Sequence, residues 1–387
     1  MIIGEKSPLV KRNERRITQS ALNLLCKRRF HYSVNERLDP KYERGYLKLG
    51  QLWHNVMAAH WGAIATAQPE PFVHGLHVHD IISAEPSDLI DAWYESMRIA
   101  ERGPDQEDAG EQADLVRGMY RTYCEAFPHH RDQQEWRVLA IEHQIEKPIP
   151  RPDEELLDRM GDRWRIPQWT VVGTLDLVLQ HRIHKHVVVG DHKTTKTDRR
   201  KFFPNLALAF QPWDYTALAT LEFQCPVRTI FYGASRKKLP TEPHILKRAS
   251  DGVASGMPSK AYCDSTVERY RGALKRAGVE DWDPYLENLA RLHRSEDENG
   301  NSFHWRTFAT ITKAHQDLFW LNVHMRCVEL EHEIDWAQNF GACELFSGCA
   351  FRPLCAEGDD AISRMLYVQR PEGRWLSSVK GDPTEED

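Results

Sequence analysis

The chain has 387 residues, 41% hydrophobic and 28% charged, with 57 acidic against 51 basic side chains and a formal charge of −6. That length buries a full core without covalent staples and allows two domains or one domain with insertions. The composition excludes wholesale disorder and collagen-like repeats, and the negative balance excludes a broadly basic, histone-like polyanion binder, though not a local basic patch.

The first twenty residues include Lys6, Lys11, Arg12, Arg15 and Arg16 without an apolar run, so no secretory signal is expected. No stretch reaches the roughly 18 uninterrupted apolar residues needed to cross a bilayer. A soluble, cytoplasmic protein without membrane contact is expected. In a reducing compartment its eight cysteines point to metal or cluster ligation before disulfides.

Residues Ile17–Tyr32 (ITQSALNLLCKRRFHY) read as a helix whose basic end suits the helix dipole. Lys48–Ala65 reads as a second helix. Ser87–Phe127 reads as two helices broken at Gly103–Gly110, a helical insertion over residues 80–130. The centre then changes to strands at Trp136–Ile145, Gln168–Gln180 and His186–Lys193, with His181–Lys185 as a hairpin loop between the last two. Asn205–Phe223 reads as a helix behind Pro204, and Pro226–Ala234 as a strand. Thr266–Phe340 reads as mainly helical apart from the polar Ser295–Ser302, making 250–340 a mainly helical segment. Residues 369–387 form an acidic tail expected to fray. The succession of helices, mostly antiparallel strands and helices predicts an α/β or α+β core with helical insertions.

Gly173-Thr-Leu-Asp176 and Asp191-His-Lys193-Thr194 are the segments with chemical content. Alternation puts Asp191 and Lys193 on the strand face of Val187 and Val189, and Asp176 on that of Val172, Thr174 and Val178. If the two strands pair, the aspartates converge near one end of the sheet. Buried acids need a partner. A Mg²⁺ ion, bound by a few carboxylates, waters and phosphate oxygens, supplies one. A lysine beside it can orient a water or stabilise developing charge, which is chemistry for phosphodiester hydrolysis. A surface hairpin with a salt bridge is the bland alternative. Upstream, His54 lies one helical turn after Gly50 and could offer a neutral imidazole. Downstream, Gln211 and Tyr215 share a helix face and could hydrogen-bond a phosphate, a base or the surroundings of the lysine. Between them Lys196, Arg199, Arg200 and Lys201 make a basic turn suited to backbone phosphates.

Cys343, Cys349 and Cys355 follow a Cys-x5-Cys-x5-Cys spacing. Three soft thiolates leave one position of a zinc or iron–sulfur site open, and Cys26 could fill it from the other end of the chain. Zinc sites more often show closer cysteine pairs. Cys124, Cys225, Cys263 and Cys327 lack a partner spacing and read as buried apolar thiols.

In order, Gly50-x3-His54, Gly173-x2-Asp176, Asp191-x-Lys193-Thr194 and Gln211-x3-Tyr215 resemble the RecB-like branch of the PD-(D/E)XK nuclease superfamily. The resemblance implies a single nuclease domain over 17–368 on a restriction-endonuclease-like α/β core, a mixed central sheet flanked by helices. It implies His54, Asp176, Asp191 and the main-chain carbonyl of His192 as ligands of Mg²⁺ or Mn²⁺. Lys193 would be the catalytic lysine, and Gln211 and Tyr215 the helix motif that follows the core. Glu142 stands where relatives often carry a glutamate, with Glu146 nearby. Cys26 in its helix-like setting, together with the C-terminal trio, resembles the iron–sulfur nucleases of the AddB and CRISPR-associated exonuclease type. That implies a structural [4Fe–4S] cluster on Cys26, Cys343, Cys349 and Cys355, joining the two ends of the domain. The x5 gap is closer to phage-encoded members. The implied function is a metal-dependent DNA exonuclease acting on single-stranded DNA or DNA ends in recombination or repair. Two alternatives stand beside it: a CRISPR-associated nuclease that trims DNA for spacer capture with protein partners, and a catalytically silent DNA-binding scaffold.

Overall fold

The computed structural model describes residues 15–18, 26–41, 45–69, 84–100, 104–197, 199, 210–247, 254–332, 349–356 and 359–369. Its centre is a six-stranded mixed sheet. The strands are β1 (Arg16–Thr18), β3 (Trp136–Pro148), β4 (Thr170–His181), β5 (Val187–Thr195), β6 (Thr229–Arg236) and β9 (His304–Thr310). They run in the order β1-β4-β5-β6-β9, with β3 also paired to β4. The β1·β4 and β5·β6 pairs are parallel and the β3·β4, β4·β5 and β6·β9 pairs antiparallel.

β5 and β6 are the central strands, and every residue of Val187–His192 and Ile230–Ser235 is buried. Such near-continuous apolar runs are what a strand covered on both faces requires. Alternate residues serve opposite layers: Val187 and Val189 pack with Tyr215, Leu218 and Phe319, whereas Val188 packs with Trp53, Trp61 and Met119. The first layer is supplied by α7 (Phe210–Phe223) and α10 (Lys313–His332), and the second by α2 (Gly45–Thr66), α3 (Pro86–Ala100) and α4 (Pro104–Ala126). In α2, Leu49, Leu52, Trp53, Val56, Met57, Trp61 and Ile64 form one buried stripe at helical spacing. The short α5 (His129–Glu135) leads directly into β3, and α6 (Glu154–Met160) follows that strand.

A second, two-stranded sheet pairs β2 (Leu38–Pro40) with β10 (Tyr367–Gln369) and so brings the N- and C-terminal parts of the chain together. Around it Tyr32, Leu38, Phe351, Leu354 and Tyr367 make a small core of their own. The Phe351 and Tyr367 rings stack at 5.3 Å. A hairpin of β7 (Ile245–Lys247) and β8 (Ala254–Pro258) and the packed pair α8 (Val267–Arg276) and α9 (Leu286–His293) complete the periphery.

Three elements differ from the sequence reading: the first is α4, which is already helical through Pro104–Gly110, where a break between two helices was expected. Ile17 and Thr18, expected at the start of a helix, form strand β1 against Val171 and Val172. Residues 19–25 of the expected helix lie outside the described residues; α1 (Lys27–Phe30) is helical and passes into a π-helical turn over His31–Asn35. Both residues are β-branched, and pairing along an apolar strand overrides the weak helical pattern. Within the segment expected to be mainly helical, His304–Thr310 is strand β9. It lies at an edge and is half exposed beyond Arg306, so its sequence lacks a long apolar run. Helix α7 is described from Phe210; residues 205–209, expected in the same helix, lie outside the described residues.

Candidate active site

β4 organises the site. One edge pairs with β3 from Thr170 to His181. Along the other, Thr170–Val172 pair with β1 and Leu177–Gln180 pair with β5. Gly173–Asp176 therefore lie where the two neighbours part, and the fork opens at Asp176. Continuing the Leu177↔Gly190 register by one step sets Asp176 opposite Asp191.

Seven of the expected residues meet at this fork. Asp191 is wholly buried, with Lys193 Nζ 2.7 Å from its Oδ2. Its buried Oδ1 has no hydrogen-bond partner among the described residues. His54, reaching over from α2, places Nδ1 3.3 Å from Asp176 Oδ2. The Tyr215 hydroxyl donates to Asp176 Oδ1 at 3.2 Å. Gln211, one turn earlier on α7, hydrogen-bonds Tyr215. Glu142 joins them: one donor atom each from His54, Glu142 and Asp176 lies within 4.8 Å of the others. Glu146, the neighbouring alternative, is exposed and opposite Val172. Glu142 also has a left-handed backbone, φ +45° in the middle of a strand. Strain of this kind, roughly 1–3 kcal/mol, persists where surrounding structure enforces it and clusters at functional sites.

The electrostatics follow from three acids sharing a confined space. Burial, and then the charge of Asp176, raises Glu142 to about 8. Burial raises Asp191 to about 6 despite Lys193. Burial acts the same way on Asp176, but the hydrogen bond and charge of His54 and the charge of Lys193 outweigh it and hold the group at about 2. Burial disfavours the Lys193 ammonium, yet the neighbouring Asp191 and Asp176 raise its pKa, so it stays charged. A set of carboxylate oxygens with one imidazole, an orphaned buried oxygen and mutually repelling acids fits a divalent cation such as Mg²⁺ or Mn²⁺.

The remaining expectations spread more widely. The His192 side chain points away from the carboxylates and accepts a hydrogen bond from Trp61 Nε1 at 2.9 Å. Arg199 is engaged by both oxygens of Asp297 at 2.9 and 2.8 Å, while Lys196 is exposed. Arg200, Lys201 and Cys343 lie outside the described residues. Cys26 is buried, and Cys349 and Cys355 border the small terminal core. Tyr232 was not anticipated. It is the β6 partner of Asp191, and its buried hydroxyl has no hydrogen-bond partner among the described residues. Its position inside the apolar run TIFYGA gave no signal beyond strand formation.

The sequence profile of the PD-(D/E)XK nuclease superfamily matches residues 16–356. The chain belongs to that superfamily. The match takes in β1, the carboxylate fork and the cysteines up to Cys355. No curated protein matches this nuclease-superfamily chain. Membership implies a metal-dependent nuclease that binds DNA, and the mixed sheet flanked by helices is consistent with the superfamily core. No helix among the described residues is long and apolar enough to cross a membrane.

Proposed function

We propose that this nuclease is a Mg²⁺- or Mn²⁺-dependent DNA exonuclease of the RecB-like, iron–sulfur type, acting on single-stranded DNA or DNA ends. The observation that carries the hydrolytic part is the convergence of Asp176, Asp191 and Lys193 at the β4–β5 fork, with His54 3.3 Å from Asp176. The preference for ends and single strands rests on the resemblance of the ordered motifs.

In this reading His54, Asp176, Asp191 and the main-chain carbonyl of His192 hold the divalent ion, with Glu142 accessory. Such an ion supplies Lewis-acid polarisation of the scissile phosphate and a lower pKa for water. The Lys193 ammonium, fixed against Asp191, holds the attacking water and stabilises charge developing on the phosphate. Tyr215 and Gln211 are positioning residues: the phenol fixes one oxygen of Asp176, and the amide steadies the phenol. Lys196, Arg199, Arg200 and Lys201 contact DNA phosphates, for which Arg199 must leave Asp297. Cys26, Cys343, Cys349 and Cys355 hold a [4Fe–4S] cluster that ties the chain ends together. Cys355 fits this, since it packs against the small core that contains Tyr32, close to Cys26 in the chain.

The test is digestion of end-labelled linear and circular DNA, single- and double-stranded, with Mg²⁺ or Mn²⁺. Metal-dependent loss of linear DNA is expected, absent in Asp191→Ala and Lys193→Ala while both stay folded. Wild-type rates in either variant would refute the site. Cleavage of circles as fast as linear DNA would refute the exonuclease mode. DNA binding without turnover would favour the scaffold alternative.

A further inference from the structure

A second convergence of metal-binding side chains lies in the opposite helical layer. His60 from α2, Cys124 from α4 and His129 from α5 each bring one nitrogen or sulfur donor within 4.8 Å of the others. The two imidazole rings are 4.2 Å apart. The Tyr120 hydroxyl lies 3.3 Å from both His60 Nδ1 and His129 Nε2. On the other side of its ring, His60 Nε2 faces Asp132 Oδ2 at 3.4 Å, and Arg306 donates to the same oxygen at 2.7 Å.

We propose that His60, Cys124 and His129 form a zinc site, separate from the carboxylate fork, that fastens α2 to α4 and α5. Two imidazoles and a thiolate are a mixed nitrogen–sulfur set, which selects a borderline-soft ion such as Zn²⁺ over the hard ions suited to carboxylates. The fourth position falls to Tyr120 or water. The contact between His60 and Asp132 is the carboxylate–histidine arrangement that orients a metal-bound imidazole, and Arg306 holds that carboxylate in place. Burial lowers the pKa of both histidines, His60 to about 4, so both rings are neutral and have a lone pair at physiological pH. The Cys124 thiol, raised by burial, releases its proton to solvent as the ion binds. Isolated in sequence, Cys124 read as an inert thiol; its neighbours come from elements 64 residues upstream and five downstream, which no local spacing reveals.

The test uses the full-length protein. Zinc content after purification without chelators, and the spectrum after loading Co²⁺ in place of zinc, are compared for the wild type, Cys124→Ser, His129→Gln and Asp176→Ala. One zinc per chain is expected to be lost in Cys124→Ser and kept in Asp176→Ala, and the thiolate-to-cobalt charge-transfer absorption should weaken with it. His129→Gln, a change at a half-buried ring, keeps the test decisive if Cys124→Ser fails to fold. It should weaken zinc binding at least about 10–100-fold, the loss that even an outer partner causes. Equal zinc content and an unchanged cobalt spectrum in Cys124→Ser would overturn the proposal, as would unchanged zinc affinity in His129→Gln.

Discussion

At the scale of single residues, two buried charge clusters show opposite uses of the same physics. At the fork, acids are crowded so that none is fully satisfied by protein. Beside Arg306, both oxygens of the buried acid are engaged. Asp132 is wholly buried and receives two Arg306 nitrogens, while Tyr123 accepts another donation from Nη2 at 2.8 Å. Arg306 also lies over the Phe127 ring, 3.8 Å from its centroid. Breaking such a pair leaves an uncompensated buried charge, so Asp132→Asn should cost about 3–5 kcal/mol of stability, measured by denaturant unfolding. The cluster also sets an acid limit. Burial would raise Asp132, but hydrogen bonds from Arg306 and with His60 hold it at about 2, below the unfolded carboxyl value. Burial depresses His60 to about 4. A group depressed in the fold stabilises above its unfolded pKa and loses that contribution as pH falls. Metal-free protein should therefore lose stability from about pH 6.5 downward through His60, and further below about 4 through Asp132. A melting temperature constant from pH 7 to 4 would contradict this. The ion pair at the fork was legible in the sequence as Asp191-x-Lys193, because alternation in a strand guarantees a shared face. The Asp132–Arg306 pair spans 174 residues and left no local trace.

At the scale of elements, what could be read was whatever has a period. Helix α2 shows its stripe from Leu49 to Ile64, and β5 its unbroken apolar run. Edge elements such as β1 and β9 draw their structure from a neighbour rather than from pattern, and so escaped. The parallel β5·β6 pair has a steric requirement of its own. Gly233 lies beside His192, and a Cβ there would come within 2.5 Å of His192 Nδ1. The ring cannot retreat freely, since Trp61 holds its other nitrogen. Gly233→Ala should thus cost about 1–3 kcal/mol as an overpacked core position. It should also depress DNA cleavage, because Asp191 and Lys193 flank His192 on the strand that must shift. Unchanged unfolding and unchanged cleavage would show that the ring has room to move.

For the molecule as a whole, the decisive feature is that its N- and C-terminal segments meet at residues 38–40 and 367–369. β2 pairs with β10, and Tyr32, Phe351 and Tyr367 stack across the join. A tie between Cys26 and the C-terminal trio was expected from the resemblance; the three-residue strands β2 and β10 that join the two segments were too short to detect in the sequence. Closing so long a loop confers only logarithmically more stability than closing a short one, so the tie matters as a clamp on the ends more than as a large energy term. With the proposed cluster on Cys26, Cys343, Cys349 and Cys355, Cys349→Ser should lose the brown colour and much of its solubility. Asp191→Ala should keep both. A colourless wild type with stoichiometric zinc at these cysteines after anaerobic purification would exclude iron–sulfur there.

The left-handed glutamate in β3 bears on how this protein can change over generations. Glu142 is held in a conformation that suits glycine better, and its carboxyl is buried beside another acid. Replacing it with glycine would relieve both burdens in the metal-free fold. A lineage no longer required to cut DNA would therefore be drawn by heat tolerance alone toward losing this side chain. Decay of the chemistry and hardening of the scaffold would then proceed together, making durable, inactive descendants an accessible evolutionary end point.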